Sequence, residues 1–303
     1  MARMDGKVLL LFGAGPNNGG TIAHFMAREG AKVAVNDIVP AAAEETTEFL
    51  KSRGYDAIAI PGDASDEQVV QDIVKKTVDH FGYVDTMVNL AGRQYRWPVT
   101  DVNTDEWNDQ IRTYLTAGMF TTKYTAKAML DKGKKGCIIH LISTAGHYGE
   151  AGNSGYSAAK AGLLNFSRAA AMDLAHAGIR VNTVTPYAME HNLWGFMRRG
   201  GAGPAPDAER TRYSITREDV LRVIPLGRFP RASDLAWAAL YLASDEAEFI
   251  TGVDIPVDGG TRFRYPSWRP GDYPEANMVD YAKNLKITRY GEPMEDFPVP
   301  WPS

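Results

Sequence analysis

The feature that most restricts the fold is an apolar run, Lys7 to Phe12, followed at once by eight residues of which half are glycine: Gly13, Ala14, Gly15, Pro16, Asn17, Asn18, Gly19 and Gly20. A strand without polar alternation is buried on both faces, which places it inside a parallel sheet covered by helices. The residues after the loop predict a helix from about Thr21 to Glu29, closed by Gly30. Strand, glycine loop and helix start make a phosphate-binding turn, because glycines let the backbone approach a pyrophosphate and the free helix N–H groups point at it. A glycine-rich turn with no ligand has the same local composition. The next strand, Lys32 to Asn36, favours the first reading, since it ends in Asp37, eighteen residues past Gly19. A carboxylate there is placed to bind ribose hydroxyls and would repel a 2′-phosphate. No Arg or Lys in the glycine loop or just after Asp37 could neutralise such a phosphate, so NAD is expected over NADP.

A second stretch carries the chemistry. Ile138 to Ser143 is a β-branched apolar run of strand length, and Tyr156 to Lys160 opens an Ala-rich helical pattern. A spacing of four puts Tyr156 and Lys160 on one helix face, and Ser143 at the end of its strand sits where open parallel sheets place ligands. A phenol, with a pKa near ~10, is a poor base at neutral pH, but a neighbouring ammonium favours the phenolate. A Ser hydroxyl can hold a substrate oxygen within reach of the Tyr. The plain alternative is a packed Tyr beside a solvated Lys, and Tyr-x-x-x-Lys alone is common. Cys137, at the head of the same strand, reads as buried filler.

Further motifs occur in fixed order around these two stretches. A third strand, Ile58 to Pro61, leads to Gly62, Asp63, Ala64 and Ser65. A fourth, Met87 to Leu90, ends in Asn89, Leu90, Ala91 and Gly92. After the Tyr/Lys helix come Ile179 to Pro186, then Pro225 to Arg228, an Ala-rich helix from Ser233 to Leu242, and Ile250 to Gly260. Ser, Tyr thirteen positions later and Lys four further on, in this context, resemble the short-chain dehydrogenase/reductase family over roughly Lys7 to Gly260.

The resemblance implies a doubly wound Rossmann-type α/β sheet of about seven parallel strands flanked by helices, with residues 1–260 as one domain. It implies an oxidoreductase in which Tyr156 removes the proton of a secondary alcohol held by Ser143, as hydride passes to the nicotinamide. Lys160 would lower the Tyr pKa and bind the nicotinamide ribose. The cofactor residues it implies are Gly13, Gly15, Asn18, Gly19, Asp37, Ile38, Asp63, Ala64, Asn89, Ala91, Gly92, Tyr156, Lys160, Pro186, Met189 and His191. The chain departs from the family pattern in four places. Asn17 replaces a glycine and is expected in a left-handed conformation, which Asn tolerates. Tyr114 stands where the family has an Asn thought to hold a water of a proton relay, and a phenol cannot reproduce an amide's paired donor and acceptor. Tyr187 follows Pro186 in place of glycine, and His191 falls where a Thr binds the carboxamide.

The substrate is expected to be a bulky, ring-bearing alcohol, from the aromatic residues near the site: Tyr95, Trp97, Tyr148, Tyr187 and Trp194, with His147 among them. The Arg93 to Pro98 loop could equally be solvated. Residues 192–223 read as an inserted substrate loop, a lid or an oligomer contact. Residues 261–303 exceed the family's length and are rich in Pro, Tyr and Trp, which suits an ordered arm on the core or a neighbouring subunit. The expected assembly is a homotetramer or homodimer.

Charge and composition narrow the classes. A net charge of −4 argues against nucleic-acid and anionic-membrane partners. One Cys and six scattered His give no thiolate zinc site, no internal disulfide and no metal-ligand pairing. No apolar run approaches ~18 residues and the first core strand starts early, so a cytoplasmic enzyme acting on a small molecule is expected. A carbonyl reductase of the same family and a weakly catalytic NAD-binding scaffold are the alternatives.

Overall fold

The computed structural model describes residues 2–189 and 220–264, with the short strands at 288–289 and 292–293. At its centre is β1 (Val8–Phe12), every residue of which is buried. Around it lie β2 (Lys32–Asn36), β3 (Ala57–Ala59), β4 (Thr86–Asn89), β5 (Gly136–Leu141), β6 (Ile179–Pro186) and β7 (Asp254–Val257), all parallel, in the order β3-β2-β1-β4-β5-β6-β7. The chain winds outward one way from β1 to β3 and the other way from β4. The crevice at this reversal opens at the C-terminal strand ends, where Phe12 lies between Asn36 of β2 and Asn89 of β4.

Helices cover both faces. α1 (Asn18–Arg28) and α7 (Ala232–Ala243) pack on one side, over Leu9, Leu11, Val33, Val35 and Ile139. α3 (Glu67–Phe81), α5 (Ala117–Asp131) and α6 (Ser154–Leu174) pack on the other, over Leu10, Phe12, Met87 and Ile138. Alternate residues of one strand thus feed two cores, which is why β1 shows no polar position. α2 (Pro40–Lys51) and α4 (Thr104–Gln110) complete the layers. Between α4 and α5 the chain makes one π-helical stretch, Ile111–Thr116, of the kind that often marks a functional site. Thr288–Arg289 and Glu292–Pro293 form an antiparallel pair. Among the described residues, no helix is long and apolar enough to cross a membrane.

Two local expectations are corrected. The first helix starts at Asn18 and not near Thr21, because the glycines at 19 and 20 belong to its first turn. A Cβ at Gly19 would sit 2.2 Å from Gly13 O, so only a bare glycine lets the helix approach the end of β1 this closely. Asn17 is not left-handed: its φ is −85°, and the positive φ the turn needs is taken by Gly13 at 80°.

Candidate active site

β5 and α6 supply the reactive side chains. Ser143, two residues past β5, is extended, and its Oγ accepts from Ala145 N at 3.2 Å, capping a 3-10 turn at Thr144–Gly146. A Cβ on Gly146 would lie 3.1 Å from the Lys160 carbonyl carbon, so the missing side chain lets this turn seat directly on α6. Tyr156 and Lys160 rise from the first turns of α6, and the Ser143 hydroxyl is near enough to Tyr156 to favour its phenolate. Tyr156 is half-buried. Desolvation pushes its phenol up to about 12, against the downward pull of the Ser143 hydroxyl. Lys160 is 4% exposed, its Nζ donates to Leu141 O at 2.6 Å, and burial pushes its amine down to about 7.

Lys160 Nζ stands 5.8 Å from the Tyr156 ring centroid, and lowering the Tyr156 pKa requires its ammonium to stay charged against that burial.

The nucleotide side of the crevice lies against the same strand ends. Gly13 has φ 80°, and a Cβ there would strike Ala91 N at 2.8 Å, so the first glycine turn and the turn after β4 are in backbone contact. A Cβ on Gly15 would meet only Asp37 Oδ2, at 3.9 Å, which leaves an open cradle between helix start and carboxylate. Within the same turn, the buried Asn18 Oδ1 has no hydrogen-bond partner. Asp37 Oδ1 accepts from Val39 N at 3.0 Å, and Ile38 is half exposed at the rim. A bare cradle, an orphaned polar atom and a carboxylate at the end of β2 fit a dinucleotide's pyrophosphate and ribose.

The sequence matches the family model described as enoyl-(acyl carrier protein) reductase over residues 18–262. It is 33% identical over 258 residues to the 2,5-dichloro-2,5-cyclohexadiene-1,4-diol dehydrogenase LinX of Sphingobium indicum, covering 85% of this chain and 97% of that protein. It is 35% identical over 255 residues to the 3-oxoacyl-[acyl-carrier-protein] reductase FabG of Staphylococcus aureus, covering 84% and 97%. A crystal structure from Burkholderia xenovorans, described as a short-chain dehydrogenase/reductase, superposes with TM-score 0.77 at 31% identity over 88% of this chain and all of that one.

The chain belongs to the short-chain dehydrogenase/reductase family.

As a family member it is an oxidoreductase that uses a nicotinamide cofactor and acts on a small molecule. Several cofactor-side residues expected from the resemblance turn out to brace the site. Asn89 is buried: its Oδ1 accepts from Ala91 N at 3.0 Å, and its Nδ2 faces His140 Nδ1 at 3.4 Å. His140 Nε2 in turn meets Thr122 Oγ1 at 2.8 Å, and burial holds this histidine down at about 3. Asp63 accepts from Ser65 N and Oγ and pairs with Arg112 at 3.3 Å. Burial pushes its carboxyl up, but the Ser65 hydrogen bonds and Arg112 outweigh it, leaving Asp63 below the usual carboxylate range. Ala64 and the Met189 side chain are buried, while Pro186 and Tyr187 are half-buried at the end of β6. Beside them Ala188 takes φ 26°, a conformation L residues seldom adopt. His191 lies outside the described residues.

The residues expected around the substrate each make a specific contact or packing. Tyr95 OH donates to Asp109 Oδ2 at 3.1 Å and the Trp97 indole donates to Glu106. Both aromatics line a small cleft with Trp107, Gln110 and Gly155, beside the start of α6. His147 joins an ion cluster: its Nε2 accepts from Arg262 at 2.6 Å and lies 3.2 Å from Asp254 Oδ2. Burial first, and Arg262 second, lower its pKa. Tyr148, 53% exposed, donates to Arg262 O at 2.8 Å. Tyr187 packs with Val220, Ile224 and Phe229. Trp194, like most of the 192–223 segment, lies outside the described residues.

Sequence reasoning missed Glu150, which bridges to Arg96 at 2.8 Å and raises the Tyr156 phenol, and it missed Arg112. It also missed Asp254 and Arg262. None of the four sits in a spacing pattern that would single it out. Cys137 is buried, donates to Leu242 O, and is pushed up to about 11 by burial, so it is no nucleophile.

Proposed function

We propose that the protein is an NAD-dependent dehydrogenase that oxidises a bulky, ring-bearing secondary alcohol to a ketone, working as a homotetramer or homodimer. The observation that carries this reading is the convergence of Ser143, Tyr156 and Lys160 at the end of β5, in the crevice that holds the glycine cradle and Asp37. Asp37 would take the adenosine ribose hydroxyls, and its charge is the reason for choosing NAD. The redox capacity is the cofactor's own: a nicotinamide takes up, or gives back, two electrons and a hydrogen.

Ser143 holds the substrate oxygen within reach of Tyr156. Tyr156 takes the alcohol proton as a base. A base with a phenol pKa near 12 is scarce in its ionised form at neutral pH, so oxidation should speed up as pH rises. The cyclic diol named for the Sphingobium relative supports a ring-bearing alcohol here.

Tyr156→Phe is expected to reduce turnover by roughly 100- to 10,000-fold, with NAD titration unchanged. Activity within a few-fold of the parent overturns the assignment. A panel of aryl, alicyclic, steroid and polyol secondary alcohols, assayed with NAD and then NADP, tests cofactor and substrate class together. The similarity to a 3-oxoacyl reductase favours a second reading, a carbonyl reductase. Faster turnover in the reducing direction at matched cofactor concentrations would select it.

A further inference from the structure

Tyr114 sits in the π-helical stretch between α4 and α5, and it touches three elements of the site at once. Its ring lies edge-on to Tyr156, with centroids 5.1 Å apart and planes at 70°. Lys160 Nζ stands over the Tyr114 ring, 4.5 Å from its centroid, nearer than to the Tyr156 ring. The ring fills the space a side chain at Gly92 would occupy: a Cβ there would lie 1.9 Å from Tyr114 Cε1. Tyr114 itself is only 8% exposed.

An ammonium carries three N–H donors. Among the described residues, that of Lys160 donates to one acceptor, Leu141 O. The titratable groups facing it are Tyr114 from the π-helical stretch, Tyr156 from its own helix and His140 from β5, and none is a carboxylate. Burial alone drives the amine toward neutrality. Of the π-faces within about 6 Å that favour the charged form, that of Tyr114 at 4.5 Å is nearer than that of Tyr156 at 5.8 Å.

We propose that Tyr114 is a positioning residue for Lys160, the face of its ring, and not its hydroxyl, holding the ammonium charged and seated at Leu141 O beside Tyr156. The proposal rests on the reading of Lys160 as the charge that assists Tyr156, and it gives this chain a use for an aromatic ring at that place. Gly92 belongs to the same device, since any side chain there would push the ring off the amine.

The direct test is an NMR titration of ε-13C-labelled lysine, with the Lys160 resonance assigned by its loss in Lys160→Met, in protein free of cofactor and substrate. Tyr114→Phe should titrate as the parent does. Phenylalanines at 114 carrying one, two and three ring fluorines keep the shape and weaken the π-face, and should lower the Lys160 midpoint stepwise, by about one pH unit in all. Tyr114→Leu should fall as far. A midpoint unmoved by fluorination overturns the proposal, and so does an equal drop in Tyr114→Phe, which would assign the effect to the hydroxyl. In turnover, the alkaline limb of kcat should move down with the midpoint. Because the titration needs no turnover, a stepwise fall in an inactive protein would leave this contact standing while removing the proposed dehydrogenase function. A flat titration in an active enzyme would do the reverse.

Discussion

His140 sets a pH limit on this fold. It is fully buried between Asn89 and Thr122, and its pKa is held near 3 by burial and then by the Lys160 charge. The unfolded chain takes up a proton at this residue below about 6.5, whereas the folded one does not until about 3. Stability from this group is therefore intact above 6.5 and is lost as pH falls from 6.5 toward 3, with a slope approaching about 1.4 kcal/mol per pH unit. Denaturant unfolding of His140→Asn from pH 7 to pH 4 should show a flatter decline than the parent; an equal decline would remove His140 as the cause. At this scale the sequence was legible where residues share one helix, as Tyr156 and Lys160 do, because helical spacing fixes their face. It was not legible for Tyr95, His147 and Tyr148, because loop position does not say which partner a side chain turns to.

Between elements, the strongest joint described is the cluster around Arg262. Its guanidinium reaches Asp254 Oδ2 at 2.7 Å and Asp258 Oδ2 at 3.3 Å, with side-chain exposures of 6%, 7% and 3%. Asp254 also accepts from Thr183 and Thr185 of β6, at 2.7 Å each. The cluster ties β6, β7 and the Ser143 turn, through His147, to the first residues past Gly260. Arg262→Met would leave two buried carboxylates uncompensated, at a cost of about 3–5 kcal/mol, and Asp254→Asn added to it should return part of that. Thermal unfolding of the single and double variants checks this, and additive losses would refute the pairing. The sheet and its helices were legible as elements because apolar runs bounded by glycine are strong signals, and the seven parallel strands match that expectation. The π-helical stretch was not, since Ile111 to Thr116 carries no breaker or cap that distinguishes it from ordinary helix.

At the scale of the molecule, one face of the described residues carries exposed apolar side chains near the end of α6 and the turn before β7: Met172 is 65% exposed and Phe249 wholly so, and a Cβ on Gly252 would meet Met172 Cε at 3.7 Å. If the proposed assembly uses this face, sedimentation velocity should give two or four times the chain mass, and Phe249→Asp should shift it toward the monomer; a monomeric parent sinks the proposal. The doubly wound order was legible because each motif had a fixed place in the chain, whereas subunit contacts leave no such mark. The reversal of strand order between β1 and β4 has a practical side. Gly13, Gly15 and Asp37 belong to the part of the chain that ends with α3, while Ser143, Tyr156 and Lys160 belong to the part that starts with β4. Neither part owns the cleft. Gly82, left-handed at φ 90° and open to solvent where a Cβ would stand, is the natural seam between them. Severed there, the protein is expected to give a split reporter, two fragments inactive apart whose reunion is read in the near-ultraviolet absorbance of the nicotinamide.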